Sequence, residues 1–184
     1  MNSYLTLIGS LVIGGMFLLG VLGFQNEVQG HSYNHLNETI AQQYAMDATE
    51  LLERDFRRIG YEAKDESFAL VDTSSIIFYA DIDNDTVVDT ISYSLSDLAA
   101  ASSTPNPVDR LLYRSVNNNA AVNIASGVTD FKLKYFDGNG NETNVISEIK
   151  SVETTIEIAS TVPYDDTYPV FHWRKKITPP NLLF

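Results

Sequence analysis

The sequence YLTLIGSLVIGGMFLLGVLGF at residues 4–24 decides the class of this 184-residue chain. No Asp, Glu, Lys or Arg occurs among residues 1–26, and about 20 apolar residues are enough for a helix to cross a bilayer. A secretory signal peptide, the alternative interpretation, would have a basic n-region and a shorter apolar run. The stretch therefore predicts a retained transmembrane or filament-core helix over residues 1–24.

Glycine recurs along this apolar run. Glycine weakens a helix in water, but in a membrane it is tolerated and lets neighbouring helices approach closely. We therefore expect the run to pack against helices of other subunits. The predicted packing residues are Leu5, Leu7, Ile8, Gly9, Leu11, Val12, Gly14, Gly15, Phe17, Leu18 and Gly20.

Beyond Phe24 the sequence becomes polar but keeps a helical period. Apolar residues recur at steps of three and four as far as Ile59, and Gly60 is placed to end the helix. We predict an amphipathic continuation over residues 25–62, with its weakest point at Gly30 and Ser32. Its apolar face needs a partner surface. The apolar positions are Tyr33, Leu36, Ile40, Tyr44, Ala48, Leu51, Leu52, Phe56 and Ile59.

The remaining residues, 63–184, predict a β-rich globular head. From about Ser67 the apolar period changes to two, in short runs separated by turn residues. Such alternation is typical of an antiparallel sheet with one face exposed to water. The amphipathic helix is the long element available to cover the other face, so the fold class is α+β. The predicted strands cover residues 68–71, 75–80, 90–95, 111–116, 131–135 and 152–158, with a hairpin turn at 137–141.

Composition excludes several classes of function. The formal net charge is −12, so the chain lacks the basic footprint of a nucleic-acid binder. It has no cysteine, which excludes disulfides and thiolate metal sites. No phosphate-binding glycine loop, Gly-x-Ser-x-Gly or His-Glu-x-x-His motif occurs. We therefore expect no enzymatic activity.

The strongest candidate site is acidic. Asp81, Asp83, Asp85 and Asp89 stand at alternate positions between two predicted strands, and hard cations such as Ca²⁺ prefer several oxygen ligands. Thr86 replaces the glycine of an EF-hand, so the loop is not one. Nine acidic residues and no Lys or Arg occur from 65 to 109, and a divalent cation would relieve their repulsion. A solvated acidic hairpin loop is the alternative.

Weaker candidates lie elsewhere in the chain. Residues 137–142 offer Asp, Asn and Glu oxygens, but the same residues favour a simple turn. His31 and His35 are one helical turn apart, a spacing that can hold zinc, although solvated histidines are the alternative. The basic residues Arg174, Lys175 and Lys176 are a candidate subunit contact, with an exposed strand end as the alternative.

Several segments, taken in order, resemble type IV pilin-like proteins, closest to the minor pseudopilins of the J-type and W-type. Leu5-Thr6-Leu7-Ile8 resembles the opening of their apolar helix, and residues 52–61, LERDFRRIGY, resemble its end. Residues 77–93 and 128–137 resemble their hairpins, and residues 173–182, WRKKITPPNL, their final strand. Each motif is loose, and their order along nearly the whole chain carries the resemblance.

The resemblance implies a structural subunit of a filament or pseudopilus. Its partners would be other pilin-like subunits or copies of itself, the membrane and an assembly machinery. The chain would be anchored in an inner membrane with an extracytoplasmic head, or would lie in a surface filament. Two features depart from the family: no basic leader ending in glycine precedes the run, and Gly9 stands where a glutamate is usual. We expect either that the sequence begins after processing or that the subunit is not processed. The alternative is an anchored, calcium-dependent binding or adhesion domain that does not polymerise.

Overall fold

The computed structural model describes residues 2–63, 66–160, 163 and 168–183. In these residues, helix α1 spans Asn2–Arg57, through Gly30 and Ser32, and is followed by seven β-strands. Internal contacts divide the chain into two units, Met1–Thr39 and Ile40–Phe184. The α+β layout predicted from the sequence is confirmed by these elements.

The first unit is the N-terminal part of α1. Thr6–Gly30 is 25 residues long with a mean hydropathy of 2.3, and none of its most apolar window is buried. By length and composition this segment could cross a membrane as an anchor, or act as a signal sequence. Among the described residues it is the one helix with that property.

The second unit begins with the amphipathic end of α1. Its buried residues follow steps of three and four, which place them along one face of the helix. Gly60 then turns the chain with φ +78°, and its N–H donates to the carbonyl oxygen of Tyr79 at 2.9 Å. A Cβ at this position would be strained by the positive φ and would have to displace Ser67 Oγ, which it would meet at 2.8 Å. The buried residues of this face are Ala45, Ala48, Thr49, Leu52, Asp55 and Phe56.

The seven strands form one antiparallel sheet in sequential order. The sheet curls, so that β5 reaches the β1–β2 turn, where the N–H of Leu133 donates to Thr73 O at 2.8 Å. The strands are β1 Phe68–Val71, β2 Ser75–Ala80, β3 Asp89–Leu95, β4 Arg110–Val116, β5 Val122–Phe136, β6 Ser151–Ala159 and β7 Val170–Ile177.

Alternate residues of the strands face the helix and form the core with it. Phe56 of α1 meets the rings of Phe78 and Tyr93 edge-on, with centroids 5.7 Å and 5.6 Å apart. Phe131, which is also buried, faces the same core from β5. The predicted partnership of the amphipathic helix with the sheet is therefore present within the second unit.

The structure differs from the predicted strands in three places. β5 has 15 residues, so it begins well before the predicted 131–135, and bulges interrupt its pairing with β4. The tight turn at 137–141 forms, but a 3-10 helix, Ile146–Glu148, separates it from β6. Residues 173–182 resemble a final strand of the family, but β7 ends at Ile177, before Pro179 and Pro180, because proline cannot donate to a sheet ladder.

Candidate functional site

The first candidate is the apolar surface of α1 within Thr6–Gly30, where no residue of the most apolar window is buried. Leu11 and Phe17 each expose 75% of their surface. A Cβ added at Gly9, Gly14, Gly15 or Gly20 would meet nothing within 4 Å, so no contact inside the described chain explains these glycines. Of the other predicted packing residues, the structure exposes Leu7, Ile8, Val12 and Leu18, while the side chain of Leu5 lies outside the description.

The second candidate is the acidic loop of residues 81–89, which joins β2 to β3. Asp81 is 1% exposed, and its carboxylate accepts hydrogen bonds from the N–H groups of Asn84 at 2.7 Å and Thr86 at 2.9 Å. Asn84 and Thr86 adopt positive φ angles of 62° and 72°. Asp89 closes the loop by accepting from the N–H of Ile82 at 3.1 Å. The backbone of the loop thus folds around its first and last carboxylates.

This folding brings three of the four predicted ligands together. Asp81, Asp83 and Asp89 each offer one carboxylate oxygen, and these oxygens lie within 4.8 Å of one another. Asp85 is not in this group, and its carboxylate accepts from the N–H of Val87 at 2.8 Å. Desolvation and then the charge of Asp85 raise the pKa of Asp83. Such a cluster could hold a hard cation, because a carboxylate oxygen that accepts one hydrogen bond keeps further acceptor capacity.

A buried ionic network in the core was not found by sequence reasoning. Asp55 of α1 is 1% exposed, and its Oδ2 accepts from Tyr93 Oη at 2.8 Å and from Arg114 Nε at 2.7 Å. Burial, followed by the nearby Asp55 charge, raises the pKa of Tyr93 well above its ordinary value. Arg58 donates to the carbonyl oxygen of Ile82 in the acidic loop. Asp55 lies on the apolar face of the predicted helix, and a charged residue in that position indicates a buried partner.

The basic cluster of β7 is engaged within the chain. Arg174 Nη2 lies 2.8 Å from Glu153, and Lys175 Nζ donates to both carboxylate oxygens of Glu53 at 2.7 Å. Lys176 Nζ lies 3.7 Å from the centre of the Phe136 ring. A subunit contact through these three residues, as predicted, would have to add to or replace these contacts.

The weaker candidates have local explanations or lie outside the description. Asp137 accepts hydrogen bonds from the N–H groups of Asn139 and Asn141, both at 2.8 Å, as expected for a turn. Hydrogen bonds from Asn141 in particular lower the pKa of Asp137. Glu142 pairs with Lys134 at 2.9 Å. The side chains of His31 and His35 are outside the described set.

Comparison with known proteins adds no identification. No protein-family model, curated protein or solved structure matches this chain.

Proposed function

We propose that this chain is a structural subunit of a type IV pilin-like filament or pseudopilus, and that it assembles through the apolar part of α1. The observation that carries this proposal is the exposed apolar segment Thr6–Gly30. Support comes from the second unit, where the end of the same helix packs on an antiparallel sheet. This is the layout that the sequence resemblance implies.

The exposed side chains require an apolar environment, since burying apolar surface is worth about 25 cal/mol per Å². A membrane supplies that environment before assembly, and helices of other subunits supply it afterwards. The glycines that are open in Thr6–Gly30 suit packing against other subunits, because helices approach more closely where glycine stands at their interface. An assembly machinery outside this chain would drive the exchange. The head would then lie on the extracytoplasmic side or along the surface filament.

Electron cryo-microscopy of filaments sheared from the native cells tests the proposal directly. We expect this chain in the filament, as a repeating or a terminal subunit, with residues 4–24 in a core of helices. Replacing both Gly14 and Gly15 by Leu should abolish incorporation, because the added side chains keep neighbouring helices apart. Met16→Leu is the control, because it replaces one large exposed side chain by another directly after Gly15. It should leave incorporation unchanged.

The fluorescence of Trp173, the single tryptophan, reports on the folded head in each variant. Normal filaments from the glycine double variant would contradict the packing role. A chain that stays monomeric in the membrane of filament-bearing cells would contradict the filament proposal itself.

The convergence of Asp81, Asp83 and Asp89 favours one second candidate. In this alternative, the chain is an anchored, calcium-dependent binding domain that does not polymerise. Added Ca²⁺ should raise the unfolding temperature of the full chain in detergent micelles, because a ligand that binds the folded state stabilises it. The shift should vanish in Asp83→Asn and persist in Asp85→Asn, which makes the same change outside the group of three. An equal shift in all three proteins would contradict this metal site.

A further inference from the structure

The segment that joins β3 to β4, residues 96–109, is a closed loop with its own hydrogen bonds. At its base, Ser96 and Leu111 exchange two bonds of 2.9 Å, one from each N–H. A 3-10 helix, Leu98–Ala101, lies inside the loop, and the Asp97 carboxylate caps it by accepting from the N–H of Ala100 at 3.1 Å. The loop therefore has a defined closed conformation.

A buried carboxyl group lies at the end of this loop. Asp109 is 1% exposed, and neither of its carboxylate oxygens has a hydrogen-bond donor among the described residues. The neighbouring Thr104 hydroxyl is directed to the carbonyl oxygens of Ala101 at 2.9 Å and Asn106 at 3.3 Å. A buried carboxylate in this state carries the full cost of desolvation, whereas a neutral carboxyl group carries much less.

The charged groups around Asp109 do not offset that cost. The 3-10 helix, which packs on β4, contains only Leu and Ala. On β4, Arg114 is bonded to Asp55, and Arg110 makes no ion pair with Asp109 among the described residues, where its own Nε also lacks a partner. The carboxylate of Asp97 already caps the 3-10 helix. Burial accordingly raises the pKa of Asp109.

We propose that Asp109 is a proton switch for the loop of residues 96–109: the loop is held closed while this carboxyl group is neutral and opens more readily once it ionises. The closed loop excludes water from both oxygens, whereas an opened loop hydrates them. Ionisation therefore favours the open state. This regulation is independent of the filament proposal, since it depends on the head alone.

The direction of the pH dependence follows from linkage. In the open loop the pKa of Asp109 is near its ordinary 3.8, and in the closed loop it is higher. The closed state is therefore most favoured below pH 3.8, and this advantage is lost as the pH rises through the higher value. Between the two values the opening equilibrium constant should rise by up to about tenfold per pH unit.

Hydrogen–deuterium exchange of the full chain in detergent micelles measures that opening. Protection of the amides of residues 97–109, corrected at each pH for the intrinsic exchange rate, should fall as the pH is raised from about 4. Asp109→Asn keeps the shape but cannot ionise, so its loop protection should not vary with pH. Asp97→Asn, a control on an exposed acid of the same loop, should behave like the wild type because asparagine also caps helices.

Equal pH dependence in Asp109→Asn and the wild type would overturn the proposal, as would wild-type protection that does not change with pH. If Ca²⁺ or Mg²⁺ restored protection at high pH, Asp109 would be a cation ligand, and the proton switch would be wrong. Should Asp109→Asn fail to fold, infrared spectroscopy of Asp83→Asn decides, because the pKa of Asp83 is also raised and this variant removes its contribution. A carboxylic acid band that titrates above the range of ordinary carboxyl groups is expected, and its absence contradicts the switch.

Discussion

The two parts of α1 share one secondary structure but present opposite surfaces. In Thr6–Gly30, large apolar side chains such as Phe17 are exposed, whereas on the sheet-facing side of residues 40–57 the side chains of Leu52 and Phe56 are fully buried. The first part is apolar on every side, and the second has a single apolar face. The comparison teaches that helix formation does not distinguish the two parts. What distinguishes them is whether this chain supplies the covering surface.

The largest expected difference in the free energy of unfolding is between two Phe→Ala substitutions, one in each part of α1. Phe56→Ala should lower the free energy of unfolding of the head by about 3–5 kcal/mol, because it leaves a cavity against Phe78 and Tyr93. Phe17→Ala should leave it unchanged. Urea unfolding of the full chain in detergent micelles, followed by Trp173 fluorescence, measures both values. Similar losses in the two variants would mean that the covering surface of the first part lies within this chain.

The buried ionic network gives a second, smaller contrast along the helix. Asp55→Asn should cost about 2–3 kcal/mol, because it weakens the charge-assisted bonds from Tyr93 and Arg114 and leaves the arginine charge without its partner. Asp47→Asn, the same change at an exposed position of α1, should cost less than about 0.5 kcal/mol. The urea midpoints of the two variants give the comparison. If they coincide, Asp55 does not join the helix to the sheet through its charge.

The same contrast explains how much of the fold could be predicted. The apolar run, the change of period near Ser67 and most of the strands follow from local patterns, and the α+β layout follows from them. Asp55 could not be matched to its partners, because Arg114 is 59 residues away and the curl of the sheet brings the two together. Local pattern carries no information about such pairs.

The site in the acidic loop could be predicted from the sequence only in part, because its geometry also depends on tertiary contacts. Alternate acidic residues indicated that carboxylates could converge, and three of them do. Which three depends on the positive φ angles at Asn84 and Thr86, residues that are not glycine. These angles are set by hydrogen bonds to the buried Asp81, whose burial is a tertiary property. The excluded ligand, Asp85, could therefore not be identified from spacing alone.

The smallest expected effect concerns the charge on the second part of α1. Bonds from Lys175 and then Arg57 lower the pKa of Glu53, so this interaction stabilises the head above pH 4.5 and is lost as the pH falls below that value. Lys175→Met should cost about 0.5–1 kcal/mol at neutral pH and should reduce this loss on acidification. Lys132→Met, at the exposed pair with Asp130, should cost less.

Residues 1–26 carry no charged side chain, so their side chains contribute nothing to this pH dependence. Urea unfolding at about pH 7 and pH 3.5 separates these effects, and an unchanged difference between the two pH values in Lys175→Met would contradict the role of the Glu53–Lys175 pair.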